Sequence, residues 1–334
     1  MEKLLPINES IPVTCFQFEA FPLAIISNYE DAYPWIHSNY IQLAFHKDFM
    51  IAPVPFKFYL FDYTIVPWLK VQKLDREIYS LINRDIVDFL KKAIDMGYYI
   101  YLNVDEYYIP CREAYKNFNK SHDILVFGYN EKELSFSVLG YNEKRFFSKT
   151  KVPYDLFEKA FLNLDNIENN CNQIYLFKFN EKTNYSFKIN VVINSLEDYL
   201  FSRNSAEHFN ALAEPEQLVF GIECYNYLDK YLDTIKVDNT IDLRYLQKVV
   251  EHKICMFNRI NYLEQKRYLN KISNFPTLYD SVVQESKTIK LLAIKFNKVR
   301  NESTFIKIKQ KIKNLKDLEV KILTNVLENL QQRK

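Results

Sequence analysis

Four glycines in 334 residues, Gly97, Gly128, Gly140 and Gly221, cannot compose a GxGxxG dinucleotide turn or a phosphate-cradling GxxxxGK[ST] loop. Nucleotide-dependent chemistry is therefore disfavoured. The five cysteines (Cys15, Cys111, Cys171, Cys224 and Cys255) are odd in number and show no CxxC spacing, which argues against a disulfide framework and a cysteine-rich zinc site. The five histidines (His37, His46, His122, His208 and His252) form no HExxH or HxH ligand pattern, so no metal is expected. No apolar run approaches the about 20 residues that span a bilayer. The opening MEKLLPINESIPV also lacks the apolar stretch of a signal peptide. The expectation is a protein of the reduced cytoplasm without a membrane partner.

Charge of one sign is also scarce overall, with a net of +2, but it is unevenly placed. From Glu285 to Lys334 there are 13 Lys and Arg against 5 Asp and Glu, a net of +8 that leaves −6 on the rest. The ordinary reading of that basic end is a solvated helix face, and the functional one is a dock for an acidic partner. Nucleic acid is not favoured, because the whole domain is not strongly basic.

What the chain does have is apolar and aromatic mass, 48% and 16% of its residues, enough for one large core or two smaller ones. CFQFEAFPLAIIS predicts a buried helix over 14–28, with Thr14 as N-cap and a kink at Pro22. A second helix is predicted over 84–96, with Asn83 as N-cap, an apolar face of Ile86, Phe89, Leu90, Ala93 and Ile94, and Gly97 in the left-handed position after it. The period then changes to extended: a strand over 98–109 leaves through Asp105, and HDILVFGYN, ELSFSVLGY and RFFSK form an antiparallel meander. PYDLFEKAFLNL supplies another helix.

The polar stretch LDNIENNCNQ interrupts the pattern, yet YLFKF and YSFKINVVI beyond it still read as strands, so the first domain is placed at 1–194. From 195 to 334 the pattern is helical. LRYLQKVVEHKICMFNRINYLEQ carries a stripe through Leu243, Leu246, Val250, Ile254, Phe257, Ile260 and Leu263, and the last helix repeats it with Ile308, Ile312, Leu315, Ile322 and Val326.

The best clue to chemistry is a thiol at the predicted start of the first helix and a histidine opening a strand a hundred residues later. A thiolate at Cys15 would be stabilised by unpaired helix N–H groups, and the imidazole of His122 could take its proton. Their ordinary readings are a small buried hydrophobe and a satisfied core histidine. Cysteine first and histidine later is the chain order of papain-like enzymes.

With these pieces in order, the chain resembles the butirosin biosynthesis protein H family, papain-like acyltransferases of bacterial antibiotic gene clusters. The residues that carry the likeness are CFQFEAFPLAII, NVDEYYIPCREAY, SHDILVFGYNEKELSFSVLG, VPYDLFEKAF and IDLRYLQKVVEHKICMFNRINYL. The resemblance implies an α+β, papain-like domain with an antiparallel sheet, followed by a mostly helical domain. It also implies an amide-forming acyltransferase in antibiotic biosynthesis. The donor would be an acyl group on the phosphopantetheine of an acyl or peptidyl carrier protein, and the acceptor a small amine. Cys15 would be the nucleophile and His122 the base.

Papain-like enzymes place an orienting Asp or Asn on the strand after the histidine, but eighteen residues on from His122 stands Gly140. Asn142 could reach the imidazole across a bulge, or Asp105 could supply a carboxylate from the neighbouring strand end. No glutamine directly precedes Cys15, so the oxyanion would fall to backbone N–H groups, helped by Gln17, Tyr107 or Tyr108. Tyr98, Tyr99, Tyr107, Tyr108, Phe127 and Tyr129 could wall off water, or simply be core. A cysteine peptidase and a catalytically inactive carrier-binding module remain as alternatives.

Overall fold

The structure, a computed structural model, describes residues 2–59, 62–82, 85–208, 217–236 and 239–332. The chain begins with β1 (Glu2–Leu4), α1 (Gln17–Ile26), α2 (Tyr33–Ser38), β2 (Leu43–His46), β3 (Phe56–Phe58), β4 (Leu69–Asp75), α3 (Arg76–Ile82) and α4 (Ile86–Asp95). It continues through β5 (Tyr99–Asp105), β6 (Ser121–Asn130), β7 (Ser135–Tyr141), β8 (Phe147–Pro153), α5 (Tyr154–Leu162) and β9 (Gln173–Phe179). It ends with α6 (Ile189–Leu200), β10 (Leu218–Phe220), α7 (Cys224–Asp233), α8 (Leu243–Gln265), α9 (Phe275–Val299) and α10 (Glu302–Gln331). This is the α+β composition expected, with antiparallel sheets and a helical C-terminal region. No helix among the described residues is long and apolar enough to cross a membrane.

Two compact units emerge, one from residues 1–32 and 62–185, the other from 33–61 and 186–334. The sequence suggests a single cut at 194; compactness draws it at 185 and gives residues 33–61 to the second unit. The cause at 194 is local. YSFKINVVI reads as a strand because Val and Ile are β-branched, but 189–200 form helix α6. There Val192, Ile193, Leu196 and Tyr199 recur at helical spacing and are buried together.

The first unit is built on an antiparallel sheet in the order β4-β9-β5-β6-β7-β8, with β1 added against β6. The β6-β7-β8 meander is the one anticipated from the alternating apolar runs. Helices α4 and α5 cover the sheet through Leu90, Ile94, Phe157 and Phe161, packed on Ile100, Leu102, Ile124, Val126 and Val138. Helix α4 ends where Gly97 adopts φ +83°, as the sequence predicts. Its N-cap is Asp85, whose carboxylate accepts from the Asp88 amide at 2.9 Å; the expected cap, Asn83, lies outside the described residues.

The second unit carries a small sheet, β10-β2-β3, and the long helices α8, α9 and α10. Ile308, Ile312, Leu315, Ile322 and Val326 of α10 are buried as their spacing predicts. The stripe expected on α8 is buried only in part, Leu243, Ile254 and Phe257 being half-buried, and it is not the whole of the helix's buried surface. Leu246, Val250, Ile260 and Leu263 are fully buried, and so are Lys248, Glu251, His252, Lys253 and Arg259. The centre of this polar core is Glu319 of α10, fully buried. Its Oε2 accepts from the Lys253 ammonium at 2.7 Å, from Tyr225 at 2.9 Å and from Tyr199 at 3.0 Å; its Oε1 accepts from Tyr279 at 2.6 Å. His252 Nε2 lies 2.8 Å from the Ile41 carbonyl, which can only accept, so Nε2 bears the proton. Nδ1 then accepts from Lys253 at 2.9 Å. Burial first, and the Lys253 charge second, hold His252 neutral by lowering its pKa well below the ordinary range.

Candidate active site

Helix α1 begins at Gln17, three residues later than expected, with Phe16 as an N-cap that makes no side-chain hydrogen bond. Cys15 therefore stands just outside the first turn and is half-buried. The chain on either side of it is tied to Tyr141 at the end of β7. The Tyr141 hydroxyl donates to the Thr14 carbonyl at 2.5 Å, and the Tyr141 amide donates to Gln17 Oε1 at 3.2 Å. The other end of the Gln17 amide reaches β6. Its Nε2 donates to the Asp123 carbonyl at 2.8 Å and to Asp123 Oδ1 at 2.5 Å, and lies 3.2 Å from His122 Nδ1. Gln17 thus links the turn that carries Cys15 to the histidine strand. With both of its amide hydrogens directed to Asp123, it is not an oxyanion donor in this arrangement.

Two carboxylates approach the same ring nitrogen. Glu106 Oε1 is 3.4 Å and Asp123 Oδ1 is 3.3 Å from His122 Nδ1. Arg112 lies beside them, its Nε 3.9 Å from Glu106 Oε1, and its guanidinium donates to the Tyr141 carbonyl. Burial lowers the Arg112 pKa, and the charges of Glu106 and Asp123 oppose that shift. Arg112 also accounts for the glycine at the expected orienting position. A Cβ on Gly140 would stand 2.6 Å from one terminal guanidinium nitrogen of Arg112 and 2.7 Å from Gln17 Oε1. A side chain cannot start from that backbone without displacing both groups.

No family model matches this chain, and no curated protein matches it.

Asp105 is not on the imidazole. Its buried carboxylate accepts from the Tyr107 amide at 3.0 Å, the Lys120 amide at 2.9 Å, Asn119 Nδ2 at 2.6 Å and Asn163 Nδ2 at 2.7 Å. It caps the 3-10 turn Glu106–Tyr108 and pins the loop before β6. The residue after it, Glu106, turns to His122. The sequence signal for that exchange is the doubled acid Asp105-Glu106 at the strand exit, where alternation gives way to a turn.

Asn142 caps the β7–β8 hairpin, its Oδ1 accepting from the amides of Lys144 and Phe146, both at 3.0 Å. Tyr107 and Tyr108 pack edge to face, with centroids 5.0 Å apart, and Tyr108 rests on the sheet core. Of the six aromatic residues that could wall off water or be core, Tyr99, Phe127 and Tyr129 are buried, and Tyr98, Tyr107 and Tyr108 are half-buried. Among the other thiols, Cys224 and Cys255 are buried, and burial pushes the Cys224 pKa far up. No group of three or more His, Cys, Asp or Glu side chains able to hold a metal occurs among the described residues.

Burial alone would raise the Asp105 pKa, but its four hydrogen bonds more than offset this and hold it below the ordinary 3.8. A carboxyl with a depressed folded pKa stabilises above its unfolded pKa and loses that contribution as pH falls through the folded value. Asp105→Asn should therefore lower stability by about 1–3 kcal/mol at pH 7, because two amide donors lose a charged acceptor. In urea titrations the gap between wild type and variant should close below the ordinary carboxyl pKa. A gap unchanged between neutral and acid pH would refute the assignment.

Proposed function

We propose that the chain is a papain-like cysteine acyltransferase that moves an acyl group from a carrier-protein thioester through Cys15 to an amine. The observation that carries this reading is the doubly anchored turn around Cys15. Thr14 and Gln17 are both held by Tyr141, and Gln17 reaches His122 and Asp123, so the nucleophile turn is fixed against the strand of the base. The resemblance to the butirosin biosynthesis protein H family, which also includes an amide synthetase of the polythioamide antibiotic closthioamide, supplies the reaction class.

The steps follow from the residues. His122 takes the Cys15 proton, and the thiolate attacks the thioester carbonyl. The carrier thiol leaves with the proton from the imidazolium. The amine then attacks the acyl-enzyme, its proton passes to His122, and the amide departs as the Cys15 sulfur re-forms. The thioester arrives activated, so neither ATP nor a metal is called for. Backbone N–H groups at the start of α1 are the donors nearest to Cys15 along the chain for the developing oxyanion. The basic C-terminal helices suit an acidic carrier, although Lys309 and Lys311 already pair with Asp229, Asp233 and Glu285.

Intact-mass measurement after mixing with an acyl thioester should show an acyl adduct on wild type and none on Cys15→Ala. Adding a diamine should discharge the adduct as amide appears. Hydrolysis of peptide bonds without any thioester donor would point instead to a peptidase. No adduct with any thioester would point to a binding module.

A further inference from the structure

We propose that Glu106 is the positioning residue of His122, doing from the end of β5 what an Asp or Asn on the strand after the histidine does in papain-like enzymes. The inference deepens the acyl-transfer reading and rests on Cys15 and His122 acting as nucleophile and base.

Three observations support it. The β7 route is closed, because the space a Gly140 side chain would enter is filled by Arg112 and Gln17. Glu106 is firmly held, with its side chain 7% exposed, Lys120 Nζ 3.4 Å from Oε2, and Arg112 Nε 3.9 Å from the Oε1 that faces the ring. The competing carboxylate is engaged elsewhere, since Asp123 Oδ1 accepts from Gln17 at 2.5 Å and its side chain is more open to water. The 3.4 Å separation from Nδ1 is longer than a closed hydrogen bond, as catalytic contacts often are before substrate binds.

The chemical consequence is a fixed tautomer. A carboxylate facing Nδ1 can only accept, so the neutral ring carries its proton on Nδ1 and keeps its lone pair on Nε2, the atom that must receive the Cys15 proton. When that proton arrives, Glu106 stabilises the imidazolium and does not itself take the proton. Arg112, a buried residue at 4% exposure, balances the two acids from the buried side, its guanidinium packed against Gly140.

The test needs no acyl donor. The rate of Cys15 alkylation by iodoacetamide is measured against pH for wild type, Glu106→Gln, Glu106→Asp and Asp123→Asn. Glu106→Gln should slow alkylation at neutral pH by roughly tenfold, the factor that one unit of lost thiolate stabilisation is worth, and move its pH midpoint upward. Glu106→Asp should recover part of the rate, and Asp123→Asn should change it less. Nitrogen-15 shifts of the His122 ring in the wild-type chain, followed against pH, should show Nδ1 protonated and Nε2 bare wherever the ring is neutral, a readout independent of how any variant folds. A Glu106→Gln profile that overlays wild type, a larger loss in Asp123→Asn, or the opposite tautomer would overturn the proposal. Fast, Glu106-dependent alkylation in a chain that turns over no thioester would leave the proposal standing and refute the acyl-transfer reading.

Discussion

Replacing Gly140 with aspartate, the residue type that papain-like geometry asks for at that position, is expected to disable the site. The new Cβ would begin 2.6 Å from an Arg112 nitrogen and 2.7 Å from Gln17 Oε1. Arg112 is itself buried and cannot retreat into water. Overpacking of this kind costs about 1–3 kcal/mol. A third carboxylate added beside Glu106 and Asp123 raises that cost. For a unit of this size a loss of about 3 kcal/mol lowers Tm by roughly 6–12 °C. The effect on reactivity is larger. Gln17 holds the turn that carries Cys15 and touches the ring of His122, and a displacement of order 1 Å between reacting groups costs about 100-fold in rate. Thermal melting and the iodoacetamide rate of Cys15, read on the same sample, check both parts. A variant that melts with wild type and alkylates as fast would mean that the glycine is not needed to admit Arg112 and Gln17.

The contrast between Asp105 and Glu106 shows where the sequence is legible and where it is not. The meander, helix α4 with Gly97, and the apolar face of α10 follow from periodicity and turn chemistry, because each depends on residues close in the chain. The first turn of α1 starts later than its sequence suggests because Thr14 looks like a cap, whereas its carbonyl is taken by the Tyr141 hydroxyl, 127 residues away in sequence. The same applies to the acids. Which of two adjacent carboxylates faces an imidazole is decided by Asn119, Asn163 and the Lys120 amide, which claim Asp105 and leave Glu106 for His122. Gly140 is the instructive case. In the sequence it marks a departure from the expected triad, and in the structure it is the space that two buried polar side chains require.

Helix α8 is legible as a helix and illegible as a polar core, since nothing in KVVEHK says that its charges are buried. Glu319→Gln tests what that core contributes and should be the most destabilising isosteric change in the second unit. The substitution leaves an acceptor oxygen for the tyrosine hydroxyls but removes the counter-charge of Lys253, which is fully buried. Burial lowers the Lys253 pKa, and Glu319 is the chief group that opposes the shift. Once the carboxylate is replaced by an amide, the ammonium must either remain uncompensated or give up its proton. Breaking one side of a buried ion pair typically costs about 3–5 kcal/mol. On a unit of this size that is a fall in Tm of roughly 6–20 °C. The double replacement Lys253→Met with Glu319→Gln removes the stranded charge and should recover part of the loss, although His252 Nδ1 then loses its donor. Urea unfolding of the full chain reads both variants. If Glu319→Gln unfolds within about 1 kcal/mol of wild type, within the range of an exposed pair, the cluster does not hold α6, α7, α8, α9 and α10 together. If the double variant is no better than the single, the cost lies in the tyrosine and histidine hydrogen bonds, with no share from the lysine charge.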